Sequence, residues 1–482
     1  MLRLHIFSDV YSLIYYNSSI NFLVNIFFFF HVSIAILLFL KDSSFKKLYN
    51  SKWLFYYFFL ILFFFSLYYF SEFIMTLTYV HSLDFSIVTN SLIEVSYFGD
   101  VLVCLAIITS IISWIYLSER FLYKFHFFIF YFFIFIMCTI NMVNTNNLLL
   151  MFVFFEFIFL PSLFFVYQFA YSKKVDKTIS YLLKWTLSGS FLVLLAIIYI
   201  YSIYSTLNIY DLNLLAFSKG EKFFLFLIIF LGFGIKLPVW PFYYWLTKVH
   251  VEAPAGFSIF LSGFLVKTAL YCLIYFTQFL TSQLTITLAI TISIWGCIDA
   301  SIRMWTSTDI KKLIAFATIQ EMNLIVIFLF LSNPNNYTIL SIFLLVHGVL
   351  SSLLFYLVDQ IQKIFSTRNI LSLSGIIYFL PVLSSFIWGA LLVFRGFPIF
   401  IKFFIEWEIL TLLFTNYKIF GFFLFLIIGV FGVLGFSRVF FSVLYGQPQN
   451  IIFTRDILRI DYLVGLLLFF LLFFLSFTII YF

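Results

Sequence analysis

Residues 223–254 read FFLFLIIFLGFGIKLPVWPFYYWLTKVHVEAP. The stretch begins with an apolar run, which ends at Lys236 and is followed by two prolines, Pro238 and Pro241. Proline ends or kinks a helix, and the backbone groups that it frees are tolerated at membrane depth only where protein or water satisfies them. The stretch therefore predicts a membrane helix that is broken beside a buried charge.

The rest of the chain is equally apolar. Of its 482 residues, 64% are hydrophobic and 10% are charged, whereas a soluble domain has about a quarter charged residues. We therefore expect an all-α polytopic membrane protein with about 14 transmembrane helices and no soluble domain between them. The longest polar interval is 75–97. The predicted spans are 22–40, 52–74, 99–118, 125–143, 147–171, 179–203, 223–246, 254–277, 284–302, 310–331, 337–358, 372–416, 420–445 and 460–481.

The distribution of Lys and Arg residues between the loops predicts the membrane topology. Most Lys and Arg residues lie in loops after odd-numbered spans if 372–416 is counted as one element, broken at Gly396-Phe397-Pro398. This distribution favours an orientation with both termini on the outer side. The formal net charge of +7 is then a matter of membrane orientation, and we expect no nucleic-acid partner. The broken spans are the seventh and the twelfth, which predicts two inverted five-helix repeats. The expected divisions are 1–124 (spans 1–3), 125–277 (first repeat), 278–445 (second repeat) and 446–482 (final span).

Few ionisable residues lie inside the spans, and each costs several kcal/mol unless it faces a partner or a polar cavity. Three have plainer interpretations: Lys184 near a span end can snorkel, Glu408 can serve packing, and His347 can be a neutral hydrogen-bonded side chain. Carboxylates, amines and imidazoles bridged by water can instead pass protons along. The residues that we single out are Glu156, Lys184, Lys236, Lys267, Glu321, His347, Lys402, Glu406 and Glu408, with Arg395 at the second break.

Several of these residues stand in longer motifs that resemble the subunit 4 family of NADH–ubiquinone oxidoreductase, an antiporter-like family of respiratory complex I. The similarity covers roughly residues 145–410. The matching blocks are 155–161 (FEFIFLP), 236–238 (KLP), 245–254 (WLTKVHVEAP), 309–316 (DIKKLIAF), 347–355 (HGVLSSLLF), and Gly396-Phe397-Pro398 followed by Glu406.

This resemblance implies a proton-translocating membrane-arm subunit in the mitochondrial inner membrane, which couples NADH-to-ubiquinone electron transfer to proton pumping. It implies no redox centre in the chain, since NADH, flavin, iron–sulfur clusters and ubiquinone act elsewhere in the complex. The implied partners are the other membrane-arm subunits, especially subunits 2 and 5, and phospholipids. Independently, the four cysteines are too far apart in sequence for a metal-ligand spacing. The implied site residues are Glu156, Lys236, Lys267, His347 and Glu406. To these we add Glu321, an ionisable residue inside the tenth predicted span.

The chain also departs from the family pattern. Thr247 replaces a proline, Tyr243 a histidine, Gln320-Glu321 a serine–histidine pair, Lys402 an asparagine and Ile405 a glycine. We predict a Glu156–Lys236 pair. For Glu321, three arrangements are open: a protonated carboxyl, a carboxylate paired with Lys267 or Lys402, or a side chain turned away from the relay. The repeat favours pairing with Lys402, because that pair would mirror Glu156–Lys236.

Two other functions are compatible with this fold. One is a cation/proton antiporter outside complex I, and the other is a structural membrane subunit that has lost its proton pathway. The set Glu156, Lys236, Lys267 and Glu406 argues against the structural subunit, since buried charges are costly to keep without use.

Overall fold

A computed structural model describes residues 87–118, 125–169, 175–332, 337–447 and 459–477. The spans predicted at 22–40 and 52–74 lie outside these ranges. The described helices are α1 (Ile87–Ser118), α2 (Phe125–Asn144), α3 (Leu148–Phe169), α4 (Val175–Tyr204), α5 (Ile209–Leu214), α6 (Lys219–Lys236), α7 (Tyr244–Glu252), α8 (Ala255–Leu280), α9 (Gln283–Thr306), α10 (Ile310–Leu331), α11 (Tyr337–Phe365), α12 (Ile376–Phe379), α13 (Pro381–Phe394), α14 (Ile401–Asn416), α15 (Lys418–Leu426), α16 (Val433–Tyr445) and α17 (Arg459–Phe477).

Six of the described helices are long and apolar enough to cross a membrane, namely α3, α4, α8, α9, α10 and α11, and shorter apolar helices accompany them. The chain is thus a helical multi-pass membrane protein. The helix that contains the span predicted at 99–118, α1, begins before that span, at Ile87, and its apolar stretch starts at Phe98. Its first two turns contain Asn90 and Glu94, which made that part of the chain resemble a polar interval.

Both predicted helix breaks are confirmed. The first lies between α6 and α7, where the indole of Trp245 donates to the carbonyl of Ile235 at 2.7 Å. The second lies between α13 and α14, where the ammonium of Lys402 donates to the carbonyl of Phe394 at 2.7 Å. In each break a side chain from the following helix satisfies a carbonyl near the end of the preceding one, as burial away from water requires.

Several features occur twice, about 165 residues apart. A π-helical segment interrupts α8 at Leu261–Leu265, and another joins α15 to α16 at Ile427–Gly432. An isolated antiparallel bridge joins Asn147 to Asn208, and a second joins Asp309 to Asn369. The two halves of the described chain therefore share the order of their elements as well as their breaks.

Three helices, α8, α10 and α11, lie at the centre. The most apolar stretches of α8 and α10 are completely buried, and that of α11 is 89% buried. Small residues let α8 and α11 come close, since a Cβ on Gly348 would lie only 3.0 Å from the carbonyl oxygen of Gly263. Gly348 follows His347, and Gly263 lies four residues before Lys267. This close approach therefore holds the helix segments that carry His347 and Lys267 together.

Candidate functional site

The first charged cluster joins α3 to the end of α6. Lys236 is the last residue of α6, and its ammonium Nζ lies 2.5 Å from Oε1 of Glu156. The lysine side chain is fully buried, whereas 25% of the Glu156 side chain is exposed. The predicted pair between these residues is therefore confirmed.

Aromatic rings complete the surroundings of Lys236. Its Nζ lies 4.0 Å from the ring centre of Phe155 and 4.4 Å from that of Phe159. Ring faces carry partial negative charge and attract ammonium groups, most strongly where water is excluded. Glu156 and the two rings thus compensate the loss of hydration of the lysine from one side of α3.

The second charged cluster is built around Glu321 on α10. Oε2 of Glu321 lies 2.5 Å from Nδ1 of His347 on α11, and Oε1 lies 2.6 Å from Nζ of Lys402 on α14. All three side chains are almost completely buried. Of the arrangements open from sequence, the structure has the contact with Lys402, and Glu321 is turned toward the interior rather than away from it.

Lys402 extends this cluster toward the second break. Its Nζ lies 3.5 Å from Oε1 of Glu406, one helical turn further along α14. The Glu406 side chain is 27% exposed, so the cluster runs from a buried histidine to a half-exposed carboxylate. Gly396 in the break has a φ of +64°, and a Cβ there would lie 2.8 Å from Oε2 of Glu406. The left-handed turn therefore leaves room for the carboxylate.

Lys267 lies on α8, the central helix between the two clusters. Its fully buried ammonium donates to the carbonyl of Ser262, which belongs to the π segment of α8. It is close enough to interact electrostatically with Glu321 and His347. Among the described residues Lys267 has no ion pair within 4 Å, in contrast to Lys236 and Lys402.

A small cavity adjoins the second cluster. It measures about 10 Å³, which is close to the space of a single water molecule. Nε2 of His347 is buried and has no hydrogen-bond partner among the described residues. The lining residues are Ala317, Thr318, Glu321, His347, Leu350, Ser351, Leu354 and Phe394.

Two other ionisable residues singled out from the sequence, Lys184 and Glu408, have no described contact with the residues of these two clusters. Lys184 is exposed on α4, and Glu408 is half-buried on α14. The exposed position of Lys184 fits the interpretation as a snorkelling lysine.

Two polar groups near the first break were not among the predicted site residues. The hydroxyl of Tyr243, at the position of one family departure, donates to Asp299 on α9, and Nε of Arg303 lies 3.0 Å from the same carboxylate. The signal available from sequence was the i, i+4 spacing of Asp299 and Arg303. His250 is completely buried and its ring is stacked 4.6 Å from that of Phe355; it stands in the sequence stretch that predicted the first break.

Broken membrane helices with buried carboxylate–lysine pairs define an antiporter-like membrane protein. The family model that matches residues 145–432 is described as NADH:quinone oxidoreductase/Mrp antiporter, transmembrane. The chain belongs to this family, and within it to the chain 4 subunits of NADH–ubiquinone oxidoreductase. It is 34% identical to NADH-ubiquinone oxidoreductase chain 4 of Paramecium tetraurelia over 375 residues, which cover 76% of this chain and 78% of the relative. Chain 4 of Acanthamoeba castellanii is 29% identical over 64% of this chain and 61% of the relative.

Solved structures share the fold. A chain of respiratory complex I from Thermus thermophilus with bound NADH superposes with a TM-score of 0.69 at 20% identity, covering 81% of this chain and 82% of that chain. A chain of the Mrp complex from Dietzia sp. DQ12-45-1b superposes with a TM-score of 0.66 at 16% identity, covering 73% of this chain and 67% of that chain. The chain therefore has the antiporter fold of complex I membrane subunits, and its family makes it a subunit of NADH:ubiquinone oxidoreductase with buried charged residues.

Proposed function

We propose that the chain translocates protons in the membrane arm of respiratory complex I, driven by NADH-to-ubiquinone electron transfer that takes place in other subunits. The observation that carries this proposal is the Glu321 cluster, in which His347, Glu321, Lys402 and Glu406 succeed one another within 2.5–3.5 Å. Buried groups that can each bind or release a proton, in contact along a line, are the parts of a proton relay.

The mechanism uses the charge pairs as switches. A carboxylate beside an ammonium stabilises the charged forms of both, so separating the pair favours release of the lysine proton. Glu156 and Lys236 form the switch of the first half. Lys267, whose ammonium is held by a carbonyl rather than a carboxylate, is the central carrier. His347 and Glu321 receive the proton, Lys402 passes it on, and Glu406 hands it to the outer side.

The two halves are, in this proposal, inverted repeats of five spans, α2 to α8 and α9 to α16, within a chain of about 14 spans. Support comes from the paired breaks, π segments and bridges. Because five is an odd number of crossings, the second half is inverted in the membrane. The Glu156–Lys236 and Glu321–Lys402 pairs then occupy corresponding positions.

We infer the location and the partners of the chain from its family and its composition. A Phe-rich chain of this family fits an organelle gene, and we propose the mitochondrial inner membrane, with subunits 2 and 5 and phospholipids as neighbours. We also propose that the chain carries no redox centre. Among the residues that the structure describes, no group of three His, Cys, Asp or Glu side chains is arranged to hold a metal ion.

A second candidate function is cation/proton antiport outside complex I, favoured only by the similarity to the Mrp complex chain. Purification of the chain from its native membrane separates the two functions. The proposal expects it to co-purify with peripheral redox subunits and NADH oxidation activity. A complex without such subunits, which exchanges Na⁺ for protons, would support the antiporter.

The test of proton translocation is Glu156→Gln in the assembled complex, with Asp176→Asn as control. Glutamine keeps the shape of the side chain and removes only the titrating charge, while Asp176 is an exposed carboxylate at the start of α4. We expect Glu156→Gln to stop or uncouple NADH-driven pumping with assembly nearly intact, and Asp176→Asn to pump normally. Normal pumping by Glu156→Gln would refute the assigned role of this carboxylate.

A further inference from the structure

The chain segment of the first break, residues 237–243, directly follows Lys236 and leads into α7. Its first three residues and Tyr243 are buried. Two of its residues are prolines, which have no backbone N–H to donate. Because buried backbone groups need hydrogen-bond partners, contacts from other elements decide how firmly this segment is held.

The first such contact comes from Asp299 on α9. Its carboxylate oxygen Oδ2 accepts from the hydroxyl of Tyr243, the residue at which α7 begins. Its Oδ1 lies 3.0 Å from Nε of Arg303, one helical turn further along α9. The Arg303 guanidinium also lies 5.7 Å from the ring centre of Tyr243. Arg303 thus fixes the direction of the carboxylate that holds the far end of the segment.

The second contact comes from Asn323 on α10, which is completely buried. Its amide nitrogen Nδ2 donates to the carbonyl of Pro238 at 3.4 Å and to that of Ile319 at 2.7 Å. The amide lies against Gly296 on α9, where a Cβ would be only 2.3 Å from Oδ1 of Asn323. The missing side chain at Gly296 therefore leaves room for an amide that reaches the near end of the segment.

Both contacts lie close to the charged clusters without joining them. Pro238 is two residues after Lys236, and Asn323 is two residues after Glu321. Neither Asp299 nor Asn323 has a described side-chain contact with a member of either cluster. Both helices that supply the contacts, α9 and α10, belong to the second half of the molecule, whereas the segment belongs to the first half.

We propose that Asp299 and Asn323 are positioning residues, which hold the first break from the second half of the molecule and so keep Lys236 in contact with Glu156. The inference rests on the proposed function, in which this pair is the switch of the first half. Lys236 is the last residue of α6, so its place depends on the segment that follows it. An ion pair in contact at 2.5 Å is broken by a small displacement of that helix end.

The same contacts couple the two switches. One helix, α10, carries both Asn323 and Glu321, and close-packed helices move as units rather than deforming continuously. A shift of α10 that accompanies a change of charge at Glu321 therefore also moves Pro238, and with it the end of α6 at Lys236. The second half can in this way act on the Glu156–Lys236 pair without a chain of proton transfers between them.

The experiment compares Asn323→Leu and Asp299→Leu with Asn416→Leu in the assembled complex. Leucine is similar in size to asparagine and aspartate and removes their hydrogen bonds. Asn416 is exposed at the end of α14, and it donates to the carbonyl four residues earlier at 2.9 Å, as Asn323 does at 2.7 Å. The control therefore loses the same local bond but no contact with the break. The two measurements are hydrogen–deuterium exchange of the peptide that contains residues 237–243, and proton-coupled NADH:ubiquinone turnover per assembled complex in sealed vesicles.

We expect Asn323→Leu and Asp299→Leu each to speed amide exchange in residues 237–243 at least tenfold, since exchange reports local opening. Each should also lower turnover per assembled complex at least fivefold. Asp299→Asn keeps an oxygen that accepts from the Tyr243 hydroxyl and should restore at least half of the lost turnover. Asn416→Leu should change neither quantity.

A milder variant, Tyr243→Phe, removes only the hydroxyl that Asp299 accepts, so it gives an answer even where a leucine variant does not assemble. It should show both effects. Faster exchange with normal turnover per assembled complex, in this variant or in the leucine variants, would show that the contacts serve stability alone and would overturn the inference. Unchanged exchange would overturn it as well.

Glu156→Gln is measured beside these variants, so that two failures can be told apart. If Glu156→Gln stops pumping while the positioning variants pump normally, the inference is refuted and the proposed function stands. If Glu156→Gln itself pumps normally, the role of the pair in the proposed function fails, and the inference fails with it.

Discussion

The three buried lysines differ in what holds their ammonium groups. Lys236 and Lys402 each contact a carboxylate, at 2.5 and 2.6 Å, and each lies within about 4 Å of an aromatic ring centre. Lys267 has only a backbone carbonyl as its described hydrogen-bond partner. A charge held by a dipole is less strongly fixed than one held by an opposite charge. In the proposed relay, Lys267 is therefore the central carrier, and Lys236 and Lys402 release their protons only when their carboxylate partners move away.

Neutralising either Glu321 or Lys402 alone should destabilise the complex more than neutralising both. Glu321→Gln alone leaves the buried Lys402 ammonium with Glu406, at 3.5 Å, as its only described carboxylate partner, and Lys402→Met alone leaves the Glu321 carboxylate with only His347. Each single variant should therefore cost up to about 3–5 kcal/mol. The double variant removes both charges, so it should recover a large part of that loss. The measurement is the thermal inactivation temperature and the amount of assembled complex. Losses that simply add in the double variant would contradict the pairing.

Glu406 and Glu408 offer a matched comparison within one helix. Only Glu406 contacts Lys402, and the two residues lie on different faces of α14. We expect Glu406→Gln to lower proton-coupled turnover at least tenfold and Glu408→Gln to change it less than twofold. The measurement is NADH-driven acidification of sealed vesicles. Equal effects of the two substitutions would remove Glu406 from the route.

The second break, between α13 and α14, depends on the backbone conformation of one residue. Gly396 has a φ of +64°, which costs about 1–2 kcal/mol for a residue with a Cβ. In Gly396→Ala the methyl group would also press on the Glu406 carboxylate. We expect this variant to assemble in lower amounts and to lose turnover beyond that reduction. Unchanged turnover per assembled complex would show that the position of Glu406 is not set by the break.

Contact between α4 and α6 depends on Gly189, where a Cβ would lie 2.6 Å from the backbone carbonyl of Gly232. Gly189→Ala should therefore force the helices apart at a cost of about 1–3 kcal/mol. Gly220 on α6 has no atom within 4 Å of the corresponding position, so Gly220→Ala is the control and should be neutral or slightly stabilising. The thermal inactivation temperature of the complex measures both. A loss of stability in Gly220→Ala as large as that in Gly189→Ala would refute this assignment.

The sequence predicted some elements better than others. Pro238 and Gly396-Phe397-Pro398 marked both breaks, because proline and glycine change the backbone wherever they stand. The π segments were not predicted, since one extra residue in a helical turn leaves no periodic signal in a wholly apolar run. The Glu156–Lys236 contact followed from depth and opposite charge. The contact of Glu321 with Lys402 rather than Lys267 was favoured by the repeat, and the structure has it.

At the scale of the whole molecule, composition predicted the membrane class but not which helices lie in the middle. Lipid-facing and buried surfaces are both apolar in a membrane protein, so hydropathy does not distinguish α4, with several exposed large side chains, from the buried α10. The central position of α8, α10 and α11 depends instead on close contacts such as that between Gly263 and Gly348. That position brings Lys267, Glu321 and His347 into one region.

The central claim is that protons cross this chain through Lys267. The most direct measurement is proton translocation per NADH by the purified complex in sealed vesicles, with Lys267→Ala compared with Lys184→Ala, a lysine exposed on α4. Loss of the central carrier should abolish or at least tenfold reduce proton-coupled turnover, while oxidation of NADH by an acceptor that bypasses ubiquinone stays normal. Lys184→Ala should behave as wild type. Equal proton yields from the two variants would contradict the account.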